Sequence, residues 1–448
     1  MSAINSQQDS VLRCGVFHVL IPGIAEQLPS VADQGPLRRG RKKNGKITPR
    51  QITGQAYLTL VQDYLRRLRC LYVHHNRVLF YDDVVTVYLF AFFNPVLRSL
   101  RCIEDASRLP GVHQHLSVDS VCKSTLSEAN ALFDPHHLEG LIADLRRHLP
   151  NLHQSDGRLD HLLKQVEVFD GSFFRTAANV AWAVQSNNQH TKAKGKGGSG
   201  YVRLNCQFCL ATGSVCGVSV NGDDGVGEGS AAGRFVEAGR IYLFDAGVVS
   251  FQYLDAILAA GSHFLCRLAA GVNFTPVQER TLSEADRQAG VLYDRVGHLG
   301  GSDRRTPTGA TVREVVVRFT GRDGSIKTLR LLTDLHDLPA HVIAELYRHR
   351  WQIELFFRWL KVHASFRHLT SHSRNGTALS FYVAVIATLL MAVVTRRPLS
   401  KYGYNLLVLV AAGHGDVAHM LPILENRERQ AARQRQLQAA KRAAKKPA

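Results

Sequence analysis

The segment ELYRHRWQIELFFRWLK (345–361) carries Tyr347, Arg350, Glu354 and Lys361. On a helical wheel of ~100° per residue these four fall within an arc of about 60°. Phe356, Trp359 and Leu360 fall on the opposite side. The spacing therefore predicts one packed face and one face presenting an aromatic hydroxyl, two cations and a carboxylate. At ~1.5 Å per residue, Tyr347 and Lys361 lie about 10 Å to either side of Glu354, the scale of a few nucleotides of DNA backbone. The plainer reading is a solvated helix face with an Arg350–Glu354 ion pair one turn apart.

Two aspartates sharpen the choice. Asp170 ends the apolar run QVEVFD, with Val166 and Val168 on its side of the pleat; Asp245 ends RIYLFD, with Ile241 and Leu243 in the same relation. An Asp at a strand end is by itself an ordinary turn former. If the two strands are parallel neighbours, however, both carboxylates reach the same carboxyl edge, where α/β sheets place their sites. Three carboxylates meeting there repel one another unless cations neutralise them. Hard oxygen ligands with open positions suit Mg²⁺ or Mn²⁺. Two such ions per site activate a water or a 3′-hydroxyl and stabilise the leaving oxygen of a phosphodiester.

The elements around these residues change character along the chain. Residues 1–50 end in a basic, glycine-punctuated run with Arg38, Arg39, Arg41, Lys42 and Lys43, which reads as an arm for phosphate contact or as a solvated linker. Residues 51–160 show helical spacing in Tyr57–Leu71, Val84–Leu97 and Leu138–Leu149, and Thr125 with Glu128 forms a capping box before a further helix. From 161 to 269 strand-like runs give way to a helix (Phe251–Ala260) and a strand (His263–Leu268), the alternation of an α/β core. The segments 192–200 and 222–233 are glycine-rich and read as loops; no GK[ST] follows the second, so it is not a phosphate-binding P-loop. Residues 270–335 read as a β-rich insertion. Helices follow at 339–364 and 376–395, within a second part of the core at 336–400. The tail, 401–448, is helical and basic.

Composition narrows the partners. A net charge of +18 over 448 residues points to a polyanion, nucleic acid before anionic membrane. The most apolar run, Ala378–Val394, is short for a membrane span and reads as a buried helix. Eight scattered cysteines fit a reducing cytosol, and the lone CxxC, Cys206 and Cys209, reads as core rather than a zinc site.

The spacing Tyr347-x2-Arg350-x3-Glu354-x6-Lys361 resembles the Y-R-E-K signature of the DDE transposases of insertion-sequence family four. FDGSFF resembles the region of that family's first Asp, and YLFDAGVVSFQYLDAI with SHFLCRL that of its second. FFNPVLRSLRCIEDAS and STLSEANALFDPHHL resemble its N-terminal helical region. The resemblance implies a ribonuclease-H-like core interrupted by a β-rich insertion, with an N-terminal helical DNA-binding domain. It implies cut-and-paste movement of the chain's own insertion sequence, with Asp170, Asp245 and Glu354 holding two Mg²⁺ or Mn²⁺ ions. Tyr347, Arg350 and Lys361 are then contacts to the transposon end. The implied partners are terminal inverted repeats and target DNA rather than a membrane, bound by a homodimer on paired ends in the bacterial cytoplasm, associated with the nucleoid. Two features depart from the family. Where it often has Arg-Gly-Tyr after the second Asp, this chain has Ala246-Gly247-Val248, with Phe251 as the nearest replacement aromatic. Some members use a Trp in the insertion to hold a flipped base; here Phe274, Tyr293 and Phe319 are the aromatics available, since the tryptophans are Trp182, Trp351 and Trp359. Two other readings remain: a metal-dependent nuclease of the same fold without strand transfer, and a non-catalytic basic DNA-binding protein.

Overall fold

The structure, a computed structural model, describes residues 61–444 except 62–63, 73–74, 95–96, 98, 114–115, 151–158, 177–179, 186–199, 224, 300–310, 321–323, 363–370, 398–399, 412–413 and 416. These belong to one compact unit, Thr48–Ala448. The basic arm with Arg38, Arg39, Arg41, Lys42 and Lys43 lies outside the described residues, as does nearly all of the glycine-rich segment 192–200.

The alternating apolar runs pair into a ten-stranded sheet. Its strands are β1 (Val166–Thr176), β2 (Val184–Gln185), β3 (Gly200–Cys209), β4 (Ser214–Asn221), β5 (Ile241–Phe244), β6 (His263–Arg267), β7 (Phe274–Glu279), β8 (Val291–Leu299), β9 (Val312–Thr320) and β10 (Ile326–Thr333). The order is β2-β3-β1-β5-β6-β10-β9-β8-β7, with β4 also on β3. β1, β5 and β6 run parallel, while β1–β3 and β3–β4 are antiparallel. The segment read as an insertion supplies β7 to β10, which join the same sheet through β10 and β6. One face of the parallel strands is closed by a cluster that includes Phe169, Tyr242, Phe244, Tyr253, Leu254 and Phe264. Burying each such side chain contributes about 1.5–3 kcal/mol.

The longer helices before β1, among the described residues, are α1 (Tyr81–Phe93), α2 (Leu100–Ser107), α3 (Lys123–Leu132) and α4 (Glu139–Arg147). The expected capping box is not formed. Thr125 and Glu128 lie inside α3, whose N-cap is Cys122, without a side-chain cap. The later helices are α5 (Glu228–Gly233), α6 (Phe251–Ala259), α7 (Glu284–Gln288), α8 (Ala340–Arg348), α9 (Trp351–Val362), α10 (Arg374–Thr395), α11 (Lys401–Ala411) and α12 (Val417–Ala444). α10 is the one helix among the described residues long and apolar enough to cross a membrane, and 94% of its apolar window is buried in the protein. α1, α3 and α4 pack on it. Three of its hydroxyls are satisfied within its own turns: Ser380, Thr388 and Thr395 donate to the carbonyls of Gly376, Val385 and Met391.

The expected single helix over 339–364 is two. α8 ends at Arg348, and α9 begins at Trp351. Between them Arg350 N–H bonds Tyr347 O, and Gln352 and Ile353 bond three residues back, a tightening of the i→i−4 ladder to i→i−3. The entry to α8 is clamped to the neighbouring strands. Arg313, fully buried, makes a two-pronged ion pair with Asp294 and donates to the carbonyls of Leu335, His336 and Leu338. Asp286 accepts from the His341 backbone N–H at 2.8 Å.

Candidate active site

Asp170 is not at the end of its strand. It lies inside β1, opposite Cys206 of β3. β5, on the other edge of β1, pairs in parallel only as far as Phe169↔Phe244. The next residues in that register are Asp170 and Asp245, so the two aspartates follow the last paired residues of adjacent parallel strands. β1 runs on because β3 continues to pair with it. Each aspartate accepts the N–H that follows it: Gly171 N to Asp170 Oδ1 at 2.8 Å, and Ala246 N to Asp245 Oδ1 at 2.7 Å.

Glu354, in the first turn of α9, comes to this edge through Arg350. The guanidinium lies 2.6 Å from Glu354 Oε1 and 3.5 Å from Asp170 Oδ2. The i,i+4 ion pair of the plainer reading is therefore present, and it also takes in Asp170. Lys361, two turns along α9, donates to Ser172 Oγ at 2.7 Å, two residues after Asp170, and lies over the Phe174 ring. An open pocket of about 380 Å³ is lined by Asp170, Gly171, Ser172, Glu354, Phe357, Arg358 and Lys361. Behind α9, Phe356, Trp359 and Leu360 are buried, as the wheel predicts. Tyr347 is placed differently from the expected open face. It is 7% exposed, its ring lies under the Arg350 guanidinium, and its buried hydroxyl has no hydrogen-bond partner. Asp245 is engaged by Arg267, whose Nε is 2.6 Å from Asp245 Oδ1.

Burial is the largest influence on the titrating groups of the site. Burial pushes the Asp170 carboxyl up to about 6; the Gly171 N–H and Arg350 oppose this, and Glu354 and Glu228 add to it. Burial would lower Arg350, but Tyr347, Glu354 and Asp245 outweigh it and hold the guanidinium above its ordinary value. Burial lowers Lys361, with Asp170 opposing. Burial also pushes the Tyr347 phenol up.

These residues fit divalent cations by donor type. Asp170 and Glu354 offer hard oxygens at the wall of an open pocket, and their side chains are 20% and 30% exposed. Among the described residues no three His, Cys, Asp or Glu side chains are grouped closely enough to ligate one ion. Arg350 and Arg267 occupy the carboxylates instead. Cys206 and Cys209 are buried free thiols in β3.

The sequence reading passed over Arg267, Ser172, Arg358 and Glu228. Arg267 follows Cys266, the β6 partner of Phe244, so it stands beside Asp245 as the last residue of the neighbouring parallel strand. That adjacency was the only signal for it. Arg267 supplies beside Asp245 the cation that Ala246 does not.

The family described as the transposase DDE domain matches residues 162–390, which contain all three acidic residues. The chain belongs to that family. Two relatives named as transposases are similar to this chain. One, from Sinorhizobium fredii, is 31% identical over 165 residues, 36% of this chain and 44% of its own length. The other, from Geobacillus stearothermophilus and named for an insertion sequence element, is 26% identical over 192 residues, 43% of this chain and 48% of its own length. The chain thus spans about half the length of these relatives. Among solved structures, a piggyBac transposase synaptic complex with hairpin DNA aligns with a TM-score of 0.38 at 10% identity, covering 81% of this chain and 79% of that one.

Proposed function

We propose that the chain is a DNA transposase that cuts DNA at the ends of its own insertion sequence and joins them to a target. The observation that carries this is the shared edge. Asp170 and Asp245 each follow the last residue of the β1–β5 parallel pairing, and Glu354 is tied to Asp170 through one guanidinium. The strand order β4-β3-β1-β5-β6, three antiparallel and then two parallel, supports a ribonuclease-H-like core at 161–269 and 336–400, with 270–335 inserted and 51–160 as a helical DNA-binding region.

In this reading Asp170, Asp245 and Glu354 hold two Mg²⁺ or Mn²⁺ ions. When bound, the ions activate the attacking water or 3′-hydroxyl and offset charge on the leaving oxygen. The chain's own residues do the rest. Arg350 offsets the repulsion between Asp170 and Glu354 and holds both at the pocket wall. Lys361 and Arg358, at the pocket wall, meet phosphates, the former as a point charge and the latter as a fork. Tyr347 contributes beneath Arg350 and touches DNA only if that guanidinium shifts. Arg38, Arg39, Arg41, Lys42 and Lys43 hold DNA outside the core, salt-dependently. One protomer acts on each end, so the working form is a homodimer on paired inverted repeats, in the bacterial cytoplasm with the nucleoid.

A strand-transfer assay tests this reading. Pre-cleaved ends with free 3′-hydroxyls are incubated with target plasmid and Mg²⁺, and the joined product is scored. Joining by the wild type and none by Glu354→Gln is expected. Cleavage of intact ends without joining would make the protein a nuclease of the same fold. Metal-independent end binding with neither product would make it a DNA-binding protein.

A further inference from the structure

We infer that Glu228 is a positioning residue of the carboxylate centre, setting the backbone that follows Asp170 and Asp245 and adding a charge that strengthens the centre's hold on a divalent cation. The inference deepens the proposed function and rests on it.

The glycine-rich segment GDDGVGEGSAAG reads as a loop, yet its second half forms α5, which starts at Glu228. A Cβ built on Gly171 would lie 3.1 Å from Glu228 Oε1, and a Cβ built on Gly247 would lie 3.2 Å from Glu228 Oε2. Gly171 follows Asp170, and Gly247 lies two residues after Asp245. One carboxylate thus faces one oxygen toward the strand backbone at Gly171 and the other toward the turn at Gly247. A side chain at Gly229 would collide with the Ser250 hydroxyl and come within 2.9 Å of Val248 O. The lack of side chains at 171, 229 and 247 is what lets the start of α5 approach both segments.

Arg203 fixes Glu228 from β3. Its Nη1 lies 3.6 Å from Glu228 Oε1, and its Nη2 donates to Val226 O. An acid in the first turn of a helix and an ion pair with Arg203 would account for a carboxylate here. Neither accounts for its two oxygens facing Gly171 and Gly247. The charge does: a further carboxylate held against the backbone that follows each aspartate deepens the potential that a divalent cation meets.

The test is a Mn²⁺ titration of the full-length protein, read by electron paramagnetic resonance, with thermal unfolding alongside. Removing one charge a few ångströms from a divalent ion in a partly hydrated site changes affinity by about ten-fold. Glu228→Gln should weaken Mn²⁺ binding by that factor with its unfolding midpoint unchanged, while Glu228→Asp, which keeps the charge, restores most of the affinity. Gly247→Ala places a methyl whose neighbour within 4 Å is Glu228. It should weaken Mn²⁺ binding alone and add nothing to Glu228→Gln. If Glu228→Gln does not fold, Gly247→Ala and Glu228→Asp carry the test. Wild-type affinity in Glu228→Gln, with Glu354→Gln still losing the ion, overturns the role of Glu228 and leaves the centre standing. No Mn²⁺ bound by the wild type, or equal binding by Glu354→Gln, overturns the reading of the centre itself and this inference with it.

Discussion

Arg350 occupies the position where a cation is needed, and its removal should make the fold depend on metal. The guanidinium is 13% exposed and contacts Glu354 at 2.6 Å and Asp170 at 3.5 Å. At an effective dielectric constant of about 20, a unit pair at 3.5 Å is worth roughly 5 kcal/mol before desolvation. Arg350→Gln also frees the guanidinium from its burial cost, and Asp170, already pushed up to about 6, can take a proton to relieve the repulsion. The net loss of stability should be about 1–3 kcal/mol near neutral pH, less than the full cost of breaking a buried pair. In thermal unfolding with EDTA the variant should melt several degrees below the wild type. Millimolar Mn²⁺ should restore most of that loss, because the ion binds only the folded carboxylates. The wild type, in which the ion competes with Arg350, should respond less. An Arg350→Gln protein whose midpoint is the same in EDTA and Mn²⁺ would refute the idea that this guanidinium and a divalent ion share one set of carboxylates.

Other expectations follow from single contacts. Arg313→Met leaves buried Asp294 with only Arg280, 3.9 Å away, takes the Arg313 donor from the Leu335 and Leu338 carbonyls, and should cost about 3–5 kcal/mol in urea unfolding; a loss under 1 kcal/mol would show that the clamp before α8 is dispensable. Lys361→Ala gives up one bond to Ser172 and should leave stability unchanged, while the salt dependence of end binding falls by about one unit in slope; an unchanged slope would remove Lys361 from the phosphate contacts. His136 is held above its ordinary 6.5 by its hydrogen bond to Glu139, and the same bond holds Glu139 below its ordinary 4.5. The histidine's contribution is complete below 6.5 and is lost as pH rises through its raised value. The glutamate's is present above 4.5 and is lost as pH falls through its lowered value. The difference in unfolding midpoint between wild type and His136→Ala should therefore be largest between pH 4.5 and 6.5 and shrink toward pH 8. A difference that stays constant from pH 5 to 8 would contradict that linkage.

Local pattern carried part of the site, and long-range pairing decided the rest. The apolar alternation before Asp170 and Asp245 marked each as following a strand run, because side-chain period is a local property; that the two runs are parallel neighbours is decided by long-range pairing. That Asp170 lies within β1 rather than at its end depends on β3, more than thirty residues away, which continues to pair after β5 has turned off. The break between α8 and α9 has no Pro or Gly to announce it, and Leu346 to Gln352 are compatible with an unbroken helix. The wheel still placed Glu354 and Lys361 together because both lie within α9, after the break. It misplaced Tyr347, whose face is covered in three dimensions. Arg267 and Glu228 approach the centre from a neighbouring strand and from a glycine-rich turn, and no periodicity marks either one.

The central claim is that three carboxylates work as one metal-dependent centre. The most direct measurement incubates the purified chain with DNA spanning the ends of its own element, with Mg²⁺, and maps every cut strand at nucleotide resolution. Wild type, Asp170→Asn, Asp245→Asn and Glu354→Gln are compared at matched end binding. The account predicts cuts at the element boundary by the wild type alone, abolished by EDTA, with all three variants still binding the ends. Cleavage at that boundary by any one of the three variants would contradict it.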